Sequence, residues 1–416
     1  MKNGFMNIAQ AAERWGVSTR QVQNLCKRGA VTGAERFGHS WIIPLDTAKP
    51  VDGRSKAARA AKEAPKAKPL VRRSPFLDMT DLYNAPGTAD QCIEALSWHL
   101  EAQQLLAAEI AYSRGEIDKV YQHAREFFES HTGLYAVISG GLLLSLVAMW
   151  KGDMQLWNES RKYLYEAPCK TEDDRDAVFL ALACGDSALR NTKDFPEWFT
   201  KGRFSRLPVD SHPAARVFYV KYLMIFAQEL AMGNYSFPDV TGLGFMKSIP
   251  YIAEPMVAQA EADQTLMVEI YLRLLCAVSY HQTGDMKSAA DHLDKAIKLC
   301  LADKLYGPLV EHRRQLGLFL DERLMLIDPD AAKKVKELHK TLHEGWTRLH
   351  NAVTERQVKV TLTARERECA RLAAFGLTDA QIATQLYLSE HTVSTFIDRA
   401  RNKTGVIDRK DFGIFV

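Results

Sequence analysis

The stretch from Thr361 to Val406 reads TLTARERECARLAAFGLTDAQIATQLYLSEHTVSTFIDRARNKTGV and decides the fold of this end of the chain. Thr363 is followed three residues later by Glu366, and Thr378 is followed at the same spacing by Gln381. Each pair can form a capping box, in which two side chains satisfy two backbone N–H groups at a helix start. The spacing therefore predicts two helices that begin just after the two threonines.

A third helix is predicted to follow Ser389, because serine suits a helix start. The apolar positions that recur at helical spacing are Ile382, Leu386, Val393, Ile397 and Ala400. Residues at this spacing lie on one face of a helix, so the three short helices are expected to share one small core. The gap from Tyr387 to Ser389 is as short as a helix-turn-helix requires, and the last helix of that motif enters the major groove. The stretch therefore indicates DNA binding.

These residues closely resemble the LuxR/GerE-type helix-turn-helix of bacterial response regulators. The positions that carry the resemblance are Leu362-Thr363, Arg365 to Glu368, Gly376-Leu377, Gln381 to Ala383, Leu388 to Glu390, Thr392-Val393, Lys403 and Gly405-Val406. The resemblance implies a set of DNA contacts from the third helix. The implied contacts are Thr392, Ser394, Thr395, Asp398, Arg399, Arg401 and Lys403. The alternative is an ordinary three-helix bundle whose capping residues match by chance.

Two departures from the family pattern bear on DNA binding and on assembly. Relatives often have lysine where this chain has Ser394 and Asp398. An aspartate repels phosphate unless it accepts a hydrogen bond from a cytosine amine, and the nearby cations can restore affinity. The fourth helix of the family, which usually pairs two subunits, is short here between Arg409 and Gly413, so a homodimer is left open.

The first fifty residues predict a second small domain. Met6 to Trp15 forms an amphipathic pattern, and Ser18 suits the cap of a second helix that ends at Gly29. Ala34 to Phe37 and Ser40 to Ile43 flank a Gly-His pair and predict a β-hairpin. Two helices followed by a hairpin indicate a winged helix.

The segment from Ala11 to Pro44 resembles the MerR/excisionase-type winged helix. The resemblance implies that one set of residues faces the DNA groove and that two residues on the wing contact the DNA backbone. The groove set is Thr19, Arg20, Gln21 and Asn24, and the wing pair is Arg36 and His39. A protein–protein adaptor is the alternative for this domain.

Residues 51–75 predict a flexible linker. They are rich in Pro, Ala, Lys and Arg and nearly free of large apolar groups, so burial cannot offset the entropy of ordering them. A flexible coil of this length spans roughly 25–30 Å. Residues 1–75 contain fifteen Lys and Arg against five Asp and Glu, whereas residues 357–416 contain nine against seven. The whole chain carries only +3, so basic ends enclose an acidic middle, as suits ends that bind phosphate.

Residues 76–356 predict a domain built from helices. Short loops at Gly115, Gly152, Gly233 and Gly284 each follow an apolar helix and precede another one. Near the last glycine, the residues that match a tetratricopeptide repeat (TPR) are Tyr280, Ala289, Leu293 and Ala296. Resemblance to the TPR-type sensor regions of large LuxR-family regulators implies a TPR-like α-solenoid that binds a small-molecule or protein effector. A generic α-helical domain is the alternative.

The stretch from Gly133 to Trp150 contains no charged residue and is the candidate membrane span. Gly140-Gly141 interrupts it, and a single crossing would separate the two DNA-binding ends, so a buried helix is predicted instead. The first predicted helix begins almost at once and contains charged residues, so no signal peptide is expected. The seven cysteines form no CxxC or even-numbered framework and indicate buried thiols of a cytoplasmic protein, with a redox pair as the alternative.

Motifs for catalysis are absent from the sequence. It has no glycine-rich phosphate loop, no GxSxG, no HExxH and no paired-cysteine metal set, so we expect neither an enzyme nor a cofactor. His339 and His343 have the spacing of two zinc ligands on a helix, but no third ligand is visible. The alternative is that they border an amphipathic helix, which directly precedes the C-terminal segment and could transmit a signal to it.

The sequence thus predicts a mainly α fold in four segments. They are a winged helix at 1–50, a basic linker at 51–75, a TPR-like α-solenoid at 76–356 and a LuxR-type helix-turn-helix at 357–416. The predicted function is that of a cytoplasmic transcription regulator that binds double-stranded DNA, with RNA polymerase as a further candidate partner. The alternative is a TPR-like interaction scaffold whose terminal domains act as adaptors.

Overall fold

The structure is a computed structural model that describes residues 4–38, 40–50, 74–130, 133–192, 194–354, 362–404, 406, 408–414 and 416. The chain divides into two compact units, Met1–Leu70 and Val71–Val416. His39 and residues 51–73, which include most of the predicted linker, lie outside the described residues.

The first unit combines two short helices with an antiparallel sheet of strand order β1-β3-β2. Its elements are β1 (Phe5–Asn7), α1 (Ile8–Trp15), α2 (Thr19–Lys27), β2 (Glu35–Phe37) and β3 (Ser40–Pro44). Gly16 ends α1 in the left-handed conformation, and Ser18 caps α2. β2 and β3 pair as the predicted hairpin. The core between helices and sheet contains Met6, Ala11, Trp15, Val22 and Ile43.

The helix predicted from Met6 begins only at Ile8, which corrects the sequence-based boundary. Met6 lies in β1 and pairs with Ile43 of β3. Asn7 then caps α1, because its side chain accepts from the Gln10 N–H at 2.9 Å and the Gln10 side chain accepts from the Asn7 N–H at 2.9 Å. This reciprocal cap fixes the start of the helix.

The second unit is mainly helical. Before the C-terminal segment its elements are α3 (Ala89–Ala95), α4 (Leu100–Arg114), α5 (Ile117–Ser130), α6 (Leu134–Lys151), α7 (Met154–Tyr165), α8 (Glu172–Ala188), α9 (Glu197–Thr200), a 3-10 turn (Val209–Ser211), α10 (His212–Ala231), α11 (Gly242–Ala262), α12 (Leu266–Thr283), α13 (Met286–Ala302), α14 (Tyr306–Leu316), α15 (Leu318–Ile327) and α16 (Pro329–Val353). Helices that are neighbours in the chain pack together, as α6 with α7 and α12 with α13. In addition, α16 packs against α6 and α14, and α14 packs against α4. Helices distant in the sequence therefore enclose a common interior.

The loops at the four predicted glycines all join two helices, but they differ in length. Gly115, Gly152 and Gly284 cap α4, α6 and α12 in the left-handed conformation, and the next helix begins two residues later. Left-handed backbone at a helix end favours glycine, which has no Cβ. Gly233 also has a positive φ of 80°, but a loop with a Phe237–Val240 bridge separates it from α11. Gly233 thus lies between two helices, α10 and α11, as predicted, but its loop is longer than the other three.

Helix α6 is the one described helix that is long and apolar enough to cross a membrane, and 78% of its apolar window is buried in the protein. A Cβ on Gly140 would lie 2.9 Å from the Phe128 ring, and one on Gly141 would lie 2.9 Å from the Leu164 side chain. The two glycines thus allow α5 and α7 to pack closely against α6. The packing is that of a core helix of the helical body.

All seven cysteines are free thiols. Cys26, Cys184, Cys276, Cys300 and Cys369 are buried as predicted, whereas Cys92 and Cys169 are only half-buried. Burial raises the pKa of the Cys184 and Cys276 thiols to about 12, so both stay protonated at neutral pH. Protonated thiols are poor nucleophiles.

Candidate nucleic-acid interface

The C-terminal segment contains the three predicted helices. They are α17 (Ala364–Ala374), α18 (Asp379–Leu386) and α19 (Glu390–Thr404), followed by a 3-10 helix at Arg409–Ile414. Both predicted capping boxes are confirmed. In the first, Thr363 Oγ1 accepts from the Glu366 N–H at 3.3 Å, and Glu366 Oε2 accepts from the Thr363 N–H at 2.8 Å. Ser389 Oγ accepts from the Thr392 N–H at 3.1 Å, so the third predicted start is also formed.

An apolar core and a tight turn fix α18 and α19 against each other. The buried core includes Cys369, Leu372, Ile382, Val393, Ile397, Ala400 and Phe412. Tyr387 occupies the turn with φ of 56° and caps α18 through its backbone N–H. This left-handed conformation costs a residue with a Cβ roughly 1–2 kcal/mol. The local geometry is that of a helix-turn-helix.

The predicted DNA contacts of this segment all lie on α19. Asp398, Arg399 and Lys403 are exposed. The half-buried members are Thr392, Ser394, Thr395 and Arg401. A helix with one buried apolar face and one polar face exposed to solvent has the form of a groove-reading helix.

Several of these side chains already have partners within the domain. Arg401 Nη1 lies 3.6 Å from Asp398 Oδ1. Thr395 Oγ1 donates to the carbonyl of His391 at 2.9 Å. Arg399 has no hydrogen-bond or ion-pair partner among the described residues. It is therefore the cation of α19 that is most available to phosphate.

Lys403 has a structural contact that the sequence pattern did not predict. Its Nζ donates to Glu366 Oε2 at 2.6 Å, and the Glu366 side chain is only 4% exposed. Burial would raise the pKa of Glu366, but the bonds from Lys403 and Thr363 lower it below its ordinary value. The ion pair joins the end of α19 to the start of α17. The sequence contained one signal that Glu366 has a structural role, namely its position three residues after a capping threonine.

Substitution of Lys403 by methionine is expected to lower the free energy of unfolding by about 1–2 kcal/mol without DNA, because Glu366 keeps its charge and loses a donor. The folded-state pKa of Glu366 is lowered, so its stabilisation is present above its ordinary pKa of 4.5 and disappears as the pH falls through the folded-state value. The melting temperatures of the unaltered chain and the Lys403→Met variant should therefore converge as the pH falls below 4.5. The control is Lys410→Met at an exposed position. Equal stability of the Lys403 and Lys410 variants at pH 7 would contradict this structural role.

In the first unit, the predicted groove residues lie on α2. Thr19, Arg20, Gln21 and Asn24 are exposed. Gln21 also accepts from the Ser18 N–H at 3.0 Å and completes a capping box. The Ser-x-x-Gln spacing already contained that signal. Arg36 is exposed on β2, whereas His39 lies outside the described residues.

The helix-turn-helix packs against the helical body within the second unit. Arg371 of α17 donates to the carbonyl of Gln315 and, at 3.3 Å, to Nδ1 of His281. Gln385 of α18 donates to the carbonyl of His281 at 3.0 Å. Within the described residues, no side chain of α19 forms a hydrogen bond or ion pair with the body. The domain is thus held through α17 and α18.

A second contact holds the end of the C-terminal segment. Arg190, which follows α8, donates through Nη1 to the carbonyl of Gly413 and through Nη2 to that of Val416, both at 2.6 Å. A Cβ on Gly413 would lie 2.5 Å from Sδ of Met232. This end of the chain corresponds to the fourth helix of the resemblance, and the body contacts it at Gly413 and Val416.

The two histidines considered as zinc ligands belong to a stack of rings along α16. His339 and His343 lie 5.8 Å apart, and Trp346 continues the series to His350 at 4.6 Å. Burial and neighbouring arginines lower the pKa of His339 to about 2 and that of His343 to about 4. Among the described residues, no group of three or more ligating side chains surrounds them. A positive environment of this kind disfavours a cation.

The geometry of α17 to α19 is that of a helix-turn-helix. Residues 360–415 match the family model GerE, described as bacterial regulatory proteins of the luxR family. This segment is therefore a GerE/LuxR-family domain, which confirms that part of the resemblance. Comparison with curated proteins and with solved structures gives no match. A domain of this family indicates a DNA-binding transcription regulator and implies double-stranded DNA as its partner.

Proposed function

We propose that the chain is a cytoplasmic LuxR-type regulator that reads double-stranded DNA with α19. The proposal rests on one observation: part of the C-terminal segment packs against the body, whereas α19 stays exposed. Bonds from Arg371, Gln385 and Arg190 place α17, α18 and the end of the segment against the body. Helix α19 keeps Arg399 and Asp398 exposed. An exposed polar helix face of this kind fits the major groove.

The first unit acts as a second DNA reader of the MerR/excisionase-like winged-helix type. Support comes from α2, where Arg20 and Asn24 are exposed beside a capped turn, and from the β2–β3 hairpin with exposed Arg36. The basic linker of residues 51–75 adds sequence-independent attraction to phosphate.

The TPR-like helical body serves as a sensor and not as an enzyme. Its support is the direct contact between the body and the helix-turn-helix at Arg190 and Arg371. A change in the body's packing can therefore reach the DNA-reading domain. Gly413 is not available for the pairing of two copies, because the body covers it. RNA polymerase is the partner that an activator would contact.

Sequencing of DNA that co-purifies with the full chain tests the function, followed by gel shifts on the recovered fragments. We expect enriched fragments that bind with a steep dependence on salt, because phosphate contacts release counterions. Recovery of random DNA, together with no shift at low salt, would contradict the proposal and favour the interaction scaffold.

Substitution of Arg399 by alanine is expected to weaken binding to every recovered fragment and to reduce the slope of log affinity against log salt by about 1. Arg399 is exposed without a protein partner among the described residues, so its loss should leave the fold unchanged. Thr395→Ala should instead change the ranking of fragments, because a groove hydroxyl can read bases. Fluorescence anisotropy across a salt series measures both effects, with Arg175→Ala as the exposed control on α8. An unchanged salt slope in the Arg399 variant would show that α19 is not the reader.

A further inference from the structure

The helical body contains a cavity of about 170 Å³. Its apolar wall comes from α6, α10, α12 and α16 and includes Leu142, Leu146, Phe218, Ile225, Leu275 and Leu342. An apolar cavity of about 150 Å³ holds a benzene molecule in other proteins. The space therefore suits one ring or a compact aliphatic group.

The Glu311 carboxylate at one polar end of the cavity is balanced by its own neighbours. Glu311 accepts from the hydroxyls of Tyr112 at 2.9 Å and Tyr271 at 3.1 Å, and from Lys221 Nζ at 3.1 Å. Burial would raise the pKa of Glu311, but Lys221 and the other donors lower it overall. This carboxylate is therefore charged and fully engaged, and it needs no ligand.

At the other polar end, a buried positive charge has no acceptor among the described residues. The Arg314 guanidinium lies 4.2 Å above the centre of the Trp346 ring, and its Nε and Nη2 atoms are buried without a hydrogen-bond partner among the described residues. Arg190, His339 and His343 also line this end. Burial, together with Arg190 and Arg367, lowers the pKa of Arg314. A buried donor pair without an acceptor is costly, so this end of the cavity favours an anion.

We propose that this cavity binds a small organic acid whose carboxylate pairs with Arg314. Nε and Nη2 form one edge of the guanidinium, and a carboxylate can accept from both with two parallel hydrogen bonds. The apolar body of the acid would lie against the leucine and phenylalanine wall.

Residues of the cavity wall also hold the helix-turn-helix. Arg190 lines the cavity and donates to the carbonyls of Gly413 and Val416. Gln315 lines the cavity and accepts from Arg371. An anion beside Arg314 would offset the repulsion among these arginines and hold the DNA-reading domain more firmly on the body. This coupling rests on the proposed function, whereas the binding site does not.

Calorimetry and thermal unfolding of the full chain test the site with benzoate, phenylacetate and hexanoate, each compared with its neutral amide. At least one acid is expected to raise the melting temperature and to bind about tenfold or more tightly than its amide, because only the acid pairs with the guanidinium. Equal binding of each acid and its amide, or no binding by any acid, would overturn the proposal. These measurements contain no DNA, so their outcome is independent of the proposed function.

The variant Arg314→Met keeps an unbranched side chain and removes the donors. It should lose the preference for the acid over the amide while the fold is kept, because an uncompensated buried charge has been removed. The matched control Arg175→Met, at an exposed position on α8, should retain the preference. Retained preference in Arg314→Met would overturn the assignment of the carboxylate site. If Arg314→Met does not fold, the comparison of each acid with its amide on the unaltered chain still tests the proposed site.

Gel shifts with and without the bound acid then test the coupling alone, and unchanged DNA affinity would overturn it.

Discussion

Gly345→Ala is expected to destabilise the second unit by about 3 kcal/mol, the upper range for overpacking in a protein core. A Cβ on Gly345 of α16 would overlap the Trp150 carbonyl oxygen and would lie 2.7 Å from the Met149 carbonyl oxygen at the end of α6. Both are backbone atoms, which cannot rotate aside like the end of a flexible side chain. The two helices must therefore separate, and their shared apolar contacts are lost.

Urea unfolding followed by circular dichroism measures this effect. The control is Gly133→Ala, because nothing lies within 4 Å of a Cβ at that position and its φ is −66°. The control should change the free energy of unfolding by less than about 1 kcal/mol. Similar unfolding midpoints for the two variants would show that the approach of α16 to α6 is looser than the structure has it.

Replacement of Arg20 and Asn24 together by alanine is expected to weaken binding to a long genomic fragment by about 100-fold, while binding to a fragment trimmed to the α19 site stays unchanged. Two tethered readers bind a DNA that contains both sites more tightly, because the second binding event is intramolecular. Both residues are exposed on α2, so their loss should hardly alter folding. Competition gel shifts on long and trimmed fragments give the two affinities.

A matched double variant, Arg175→Ala with Asn158→Ala, removes the same residue types from exposed positions on the helical body and should bind both fragments normally. If the Arg20 and Asn24 variant binds the long fragment as well as the unaltered chain does, the first unit is not a DNA reader. If the variant loses affinity equally on both fragments, the first unit does not need a second DNA site for its effect, and the model of two tethered readers is wrong.

The C-terminal fold could be predicted because its signals are local. Thr363 with Glu366 and Thr378 with Gln381 fix helix starts within one turn, and the structure confirms both caps. The same local logic predicted the β2–β3 hairpin. It failed at Met6, where pairing with Ile43 in a distant strand overrides the amphipathic pattern.

The candidate site was only partly predictable because its partners are far apart in the chain. Lys403 is 37 residues from Glu366, and Arg190 is 223 residues from Gly413. No periodicity or capping motif specifies such a pair. The spacing of His339 and His343 suggested a metal, but the arginines that surround them come from other helices. The cavity and its unpaired Arg314 result from the same long-range packing.

The return of α16 onto α6 has a consequence for biosynthesis. Helix α6 ends at Lys151 and α16 starts at Pro329, so about 180 residues must be added before this distant packing partner of α6 begins to form. At translation speeds of roughly 5–20 residues per second, this delay lasts roughly ten to forty seconds. During that interval the face of this eighteen-residue apolar helix that α16 covers in the finished protein stays exposed. Production of this chain should therefore respond to chaperone supply more strongly than its final stability would suggest.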